Sequence, residues 1–187
     1  LAAQTTLNWQ HPVPQGNMLM SVRSLNDGTL LATGQFGTVL RSTDGGLQWS
    51  NTMFGLTDNV INAAEAEASM LWAVADNGTV LRSSDGGREW ADFASITPQG
   101  LNAVGFFSPD VGVICGDAGT IIRTTDGGQR WSEVFSGVNL SLNNIAIVNT
   151  SQAVIVGESG LVLRSSDAGA SWSATTLSPP RDLFAVG

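Results

Sequence analysis

The residues of this chain that could do chemistry are its carboxylates and its arginines. Sixteen Asp and Glu stand against eight Arg, with no Lys, no Tyr, one His and one Cys. Two carboxylates flanking a sugar could hydrolyse a glycosidic bond, and a guanidinium fork could hold a carboxylate or phosphate. Half of the arginines recur at a fixed interval. Arg41, Arg82, Arg123 and Arg164 are 41 residues apart, and each stands three residues before an aspartate: Asp44, Asp85, Asp126 and Asp167.

The remaining acids offer no such focus. Asp27, Asp58, Glu65, Glu67, Glu89, Asp92, Asp110, Glu133 and Asp182 are scattered, and Asp76, Asp117 and Glu158 share one repeat position, which is Gln35 in the first unit. Acids repeated in register beside glycine are read as turn formers rather than as a catalytic pair. His11 has no partners with which to build a metal site or a triad. Cys115 lies in the apolar run VGVICG (111–116) and is read as a buried, inert thiol. Neither a metal nor a cofactor is expected. A net charge of −8 argues against nucleic-acid binding, which needs a basic footprint. No apolar run reaches the roughly 18 residues of a membrane span, and the opening LAAQ is a weak cue for a cleaved export signal.

The elements that must position the arginines are themselves repeated. RSTDGGLQWS (41–50) returns as RSSDGGREWA (82–91), RTTDGGQRWS (123–132) and RSSDAGASWS (164–173), with unit starts at Leu19, Val60, Leu101 and Leu142. A fixed period of this size indicates a solenoid, propeller or array. Within the third unit, LNAVGFFS (101–108), VGVICG (111–116), TIIRTT (120–125) and WSEVFS (131–136) read as four short strands. The second strands LLATG, WAVA, VGVICG and AVIVG are apolar at consecutive positions, the mark of burial on both faces. The fold class expected is all-β: a β-propeller of four-stranded blades at approximately 18–58, 59–100, 101–141 and 142–182, within one domain spanning 1–187. A β-solenoid is the alternative.

The chain ends extend the pattern. LAAQTTLNWQ (1–10) aligns with RSTDGGLQWS at an offset of 40, so 1–17 is expected to be a closing outer strand; LFAVG (183–187) copies LNAVG and is expected to begin a further blade. Four full blades and two end strands suggest part of a larger ring of about seven. The missing strands are expected from continuation of the polypeptide, with another chain as the alternative.

Each position of the repeated turn has a physical role. Asp44, Asp85, Asp126 and Asp167 can accept backbone N–H bonds, with Ser42, Ser83, Thr124 and Ser165 bonding across the same bend. Gly46, Gly87, Gly128 and Gly169 permit positive φ. Trp49, Trp90, Trp131 and Trp172 supply apolar area between sheets, with an N–H that can find a carbonyl. The turn therefore reads as a structural fastener.

The pattern S/T-x-D-x-G-x-x-W resembles the Asp-box, or bacterial neuraminidase repeat. GQFGTVLRSTDGGLQW (34–49), GDAGTIIRTTDGGQRW (116–131) and GESGLVLRSSDAGASW (157–172) resemble more narrowly the photosystem II stability and assembly factor family and its non-photosynthetic bacterial relatives. That resemblance implies a seven-bladed, non-enzymatic propeller, exported to the thylakoid lumen or periplasm, which helps membrane complexes assemble. It also implies that Arg41, Arg82, Arg123 and Arg164 form a partner-binding patch for the exported side of a membrane protein complex. Sialidases share the box but use a Tyr nucleophile, which this chain lacks. A carbohydrate-binding or glycoside hydrolase propeller is the alternative function, and pairing of each Arg with a nearby acid is the alternative role for the arginines.

Overall fold

The computed structural model describes residues 16–52, 60–67 and 69–187. The expected closing strand, apart from residues 16 and 17, lies outside the described residues, as do Trp9, His11 and Asp58.

The described residues form four antiparallel sheets of four strands, each a meander in chain order. The first holds β1 (Leu19–Ser24), β2 (Leu30–Gly34), β3 (Thr38–Ser42) and β4 (Ser50–Asn51). The second holds β5 (Val60–Glu67), β6 (Met70–Ala75), β7 (Thr79–Ser83) and β8 (Ala91–Ser95). The third holds β9 (Leu101–Phe106), β10 (Gly112–Gly116), β11 (Ile121–Thr124) and β12 (Ser132–Glu133). The fourth holds β13 (Leu142–Ile147), β14 (Ala153–Gly157), β15 (Leu161–Ser165) and β16 (Ser173–Thr176). First strands of successive sheets pack against one another, β1 on β5, β5 on β9 and β9 on β13, so the four sheets are propeller blades arrayed around their first strands.

The outermost strand is shorter than its sequence pattern: WSEVFS contributes only Ser132–Glu133 to the third blade. Residues 183–187 form no strand, but Asn143 Nδ2 donates to the Leu183 carbonyl at 2.8 Å, as Asn102 Nδ2 donates to the Leu142 carbonyl at 3.1 Å one repeat earlier. The tail thus approaches the fourth blade as β13 approaches the third.

The core lies between sheets, in three joints. Between blades one and two, Leu31 and Val39 meet Ala63, Leu71 and Leu81. Between two and three, Trp72, Val74 and Val80 meet Val104, Ile114 and Ile122. Between three and four, Ala103, Val113 and Ile121 meet Leu142, Ile145, Ile155 and Leu163. Strand alternation sorts the contacts: Val39, Val80 and Ile121 face the following blade, whereas Leu81, Ile122 and Leu163 face the preceding one.

Candidate functional site

The face of the third strand that carries each repeated arginine is therefore settled. Arg41, Arg82 and Arg123 stand two residues after Val39, Val80 and Ile121, so they share the face turned to the next blade. Arg41 Nε donates to the Gly86 carbonyl at 2.8 Å, and its Nη2 to Thr29 Oγ1 at 3.3 Å. Arg123 Nε donates to the Ala168 carbonyl at 2.8 Å. Gly86 and Ala168 are the residues just after the aspartates of the next blade's repeated turn, 45 positions downstream in both cases. The acids at the Asp76/Asp117/Glu158 position are not what these two arginines hold; a main-chain carbonyl across the joint is.

Arg82 departs from that arrangement. Its Nε lies 3.1 Å from Met70 Sδ, and its guanidinium sits 5.7 Å from the centre of the Trp72 ring. Trp72 is fully buried at the position held by Leu31 and Val113 in neighbouring units, and it fills the space toward the third blade. Arg164 is exposed, and none of the hydrogen bonds among the described residues comes from its guanidinium. The four arginines are thus two joint-spanning groups, one laid on a tryptophan, and one open to solvent.

The repeated turns show one geometry in all four blades. The hydroxyls of Ser42, Ser83, Thr124 and Ser165 donate to Oδ1 of Asp44, Asp85, Asp126 and Asp167 at 2.8, 2.8, 2.9 and 2.8 Å. The same hydroxyls accept the N–H of Gly46, Gly87, Gly128 and Gly169, each at 2.9 Å. The aspartates accept a further amide four residues on, from Gln48, Glu89, Arg130 and Ser171. These bonds act on the charged form. The Gln48 amide and the Ser42 hydroxyl hold Asp44 below the usual carboxylate range, and the Arg130 amide does so for Asp126. At Asp85 burial opposes the shift most strongly, and the Glu89 amide, Ser83 hydroxyl and Arg88 amide together outweigh it. Asp167 is drawn down to about 2, first by the Ser171 hydroxyl at 2.6 Å and then by the Ser171 amide.

The glycine two residues after each aspartate shapes the turn, and in blades two to four it also seats the blade on its predecessor. All four have positive φ. A Cβ on Gly87 would meet Leu31 and Leu71 at 3.1 Å; on Gly128 it would run into the Trp72 ring, and on Gly169 into Val113. The tryptophans behave unequally. Trp49 Nε1 donates to the Gly46 carbonyl at 3.0 Å, but the buried indole N–H groups of Trp90, Trp131 and Trp172 have no partner among the described residues. Their contribution is packing area: Trp131 meets Trp72 edge-on at 5.7 Å and Phe106 at 6.1 Å.

Residues outside the repeated turn also carry the joints. Asp117 Oδ1 accepts from Asn102 Nδ2 at 2.9 Å, Glu158 Oε2 from the Ser141 amide at 3.1 Å, and Gln35 Oε1 from the Met18 amide at 3.2 Å. The neutral Gln35 does there what Glu158 does, accepting a backbone amide, so this contact does not need a charge. Asn102 bridges to the next first strand and Asn143 to the tail, and their 41-residue spacing was a signal available in the sequence. Trp72 carried no such signal, because it breaks the repeat. Cys115 is buried, and desolvation pushes its thiol up to about 12, which leaves it unreactive. Among the described residues no group of three His, Cys, Asp or Glu could hold a metal ion, and no helix is long and apolar enough to cross a membrane.

With the blade geometry established, comparisons place the chain among known proteins. Residues 96–182 match the family described as photosynthesis system II assembly factor YCF48. Over that stretch the chain is similar to this family. Two similar solved structures belong to that group. YCF48 bound to D1 peptide matches with a TM-score of 0.68 at 20% identity, over 79% of this chain and 50% of that one. YCF48 from Cyanidioschyzon merolae matches with a TM-score of 0.70 at 20% identity, over 94% and 61%. An ancestral GH74 enzyme also matches, with a TM-score of 0.69 at 15% identity, over 84% and 24%. At these identities the structural likeness shows the fold, a β-propeller architecture. The chain spans about half to three fifths of the YCF48 structures it matches. No curated protein matches it.

Proposed function

We propose that the protein is a non-enzymatic scaffold that recognises a protein partner on the exported side of a membrane-associated complex and assists its assembly. The observation that carries this reading is the match of residues 96–182, two complete repeated turns included, to the photosystem II assembly factor family. The solved YCF48 structure with a D1 peptide supports a peptide segment of a membrane protein as the kind of partner. Periplasmic location, or the thylakoid lumen in a photosynthetic cell, follows from the same reading.

Recognition is assigned to the repeated arginines, divided by their geometry. Arg82 and Arg164 are exposed; Arg41 and Arg123 give Nε to a neighbouring blade and retain further N–H donors. A planar fork can pair on one edge and remain open on the other, so joint and surface roles coexist. An acidic or carboxyl-bearing partner segment would meet this row.

The test is cross-linking and mass spectrometry of complexes captured from detergent-solubilised membranes. Arg82→Gln with Arg164→Gln is expected to abolish recovery of an exported-side subunit while lowering the melting temperature by no more than about 4 °C. Equal recovery by the wild type and this double variant would overturn the arginine assignment. Release of reducing sugar from a polysaccharide panel would overturn the non-enzymatic reading.

A further inference from the structure

The connection between second and third strands follows one plan in three blades and departs from it in the second. Phe36, Ala118 and Ser159 stand at matching positions, one residue before a glycine, with left-handed φ values of 53°, 52° and 54°. In blades one and three the amide two residues further on closes the turn on the main chain. Thr38 N–H donates to the Gln35 carbonyl at 3.1 Å, and Thr120 N–H to the Asp117 carbonyl at 3.0 Å. Asn77 holds that position in blade two, and its φ is not positive. There the Thr79 amide donates at 2.9 Å to the side-chain oxygen Oδ1 of Asn77. The bond folds the side chain forward over the Asn77–Gly78 peptide, a turn that asparagine readily makes.

Asn77 is the one asparagine of the chain that is followed by glycine. Such a pair has an intrinsic reaction, because the glycine nitrogen, with no Cβ beside it, can attack the asparagine Cγ and close a five-membered succinimide. Asn77 is exposed, so water and hydroxide reach it. The Thr79 N–H already lies on Oδ1, where negative charge develops as the nitrogen adds to Cγ. The Gly78 amide is held by a 3.2 Å bond to the Ala75 carbonyl, at the long end of the hydrogen-bond range. The Asp-Gly pairs are not equivalent sites. Asp27, Asp44, Asp85 and Asp126 precede glycines, but a carboxyl closes this ring only when protonated. The Thr29 amide and hydroxyl hold Asp27 below the usual carboxylate range, and the turn bonds described above do so for the other three.

We propose that Asn77–Gly78 is a self-modification site, at which the chain converts a neutral turn into an acidic and partly lengthened one. The Gly78 nitrogen gives its proton to hydroxide and bonds to Asn77 Cγ; the Cγ–Nδ2 bond breaks, and ammonia leaves with a proton taken from water. Water then opens the succinimide. Attack at Cγ gives aspartate, and attack at the main-chain carbon gives isoaspartate, whose backbone runs through the side chain and is one carbon longer. A Cβ on Gly78 would run into the Thr97 carbonyl, and one on Gly100 would lie 2.9 Å from the Asp76 carbonyl. The turn is thus packed on the connection from β8 to β9, which leads from blade two into blade three. An added backbone carbon strains that contact, and the new carboxylate follows Asp76 directly. The site does not depend on the assembly reading.

The test is incubation of the intact protein at neutral and mildly alkaline pH, followed by peptide mapping with mass spectrometry. Isoaspartate is read by methylation with an isoaspartyl O-methyltransferase and labelled S-adenosylmethionine. The peptide holding Asn77 should gain the mass of NH2 replaced by OH, become a methyl acceptor, and do both faster as hydroxide rises. Peptides holding the four Asp-Gly pairs should stay unmethylated. The folded protein should react at least as fast as the free peptide acetyl-Ala-Asp-Asn-Gly-Thr-Val-amide, since the Thr79 amide is already in place. Asn77→Ser retains a side-chain oxygen for that amide and should abolish both signals with an unchanged circular dichroism spectrum. Isoaspartyl protein, separated by anion exchange, should melt below the unmodified form. No mass gain at Asn77, equal methylation at the Asp-Gly pairs, protection relative to the free peptide, or equal melting of the two forms would each overturn the proposal.

Discussion

The joint between blades two and three and the joint between blades three and four are built from the same repeat, yet they are held differently. In the first, the Trp72 ring fills the space beneath Gly128, stacks with Phe106 at 6.4 Å, and meets Trp131 edge-on. Arg82 lies over that ring and reaches no carbonyl of the next turn. In the second, Val113 takes the Trp72 position, and Arg123 spans the gap to the Ala168 carbonyl at 2.8 Å. One joint is closed mainly by aromatic area, the other by aliphatic packing and a charged hydrogen bond. A single repeat position can therefore trade side-chain volume against a polar bridge, and the role of each arginine depends on which neighbour stands opposite.

The largest expected effect tests the aromatic joint. Trp72→Ala should destabilise the protein by about 3–5 kcal/mol in urea unfolding, as a fully buried large-to-small change. A loss below about 1 kcal/mol would mean the ring does not hold blades two and three together. Next, Gly128→Ala should cost about 1–3 kcal/mol, because its Cβ would enter the Trp72 ring at a φ of 83°. Combined with Trp72→Ala, the Gly128 change should cost distinctly less than alone, since the obstructing ring is gone.

The arginines sharpen the contrast at smaller energies. Arg123→Gln should cost about 1–2 kcal/mol through loss of its bond across the joint. Arg82→Gln should cost under about 1 kcal/mol, the scale of an exposed cation over a ring. Equal losses would erase the distinction between the joints. The smallest effect concerns Asp167. Its native pKa of about 2 lies below the unfolded value of about 3.9, so its contribution is present above about pH 4 and is lost as pH falls toward about 2. Asp167→Asn should therefore flatten the acid limb of the stability profile in that window, whereas an unchanged limb would show that the Ser171 contacts do not favour the charged carboxylate.

Much of this arrangement was written locally. The first strands begin at Leu19, Val60, Leu101 and Leu142, where the 41-residue spacing puts them, and the four repeated turns close through bonds among residues no more than four apart. Short-range hydrogen bonding and apolar runs are properties of adjacent residues, so the sequence determined the blades and their turns by itself. It also placed each arginine on one face of its strand, through the two-residue alternation of side chains.

What each arginine holds was decided only by the tertiary structure. Gly86 and Ala168 lie 45 residues beyond Arg41 and Arg123, and their carbonyls come within reach only because one sheet packs on the next. Trp72 diverts Arg82 by occupying that space, a consequence of volume in a packed joint rather than of any motif.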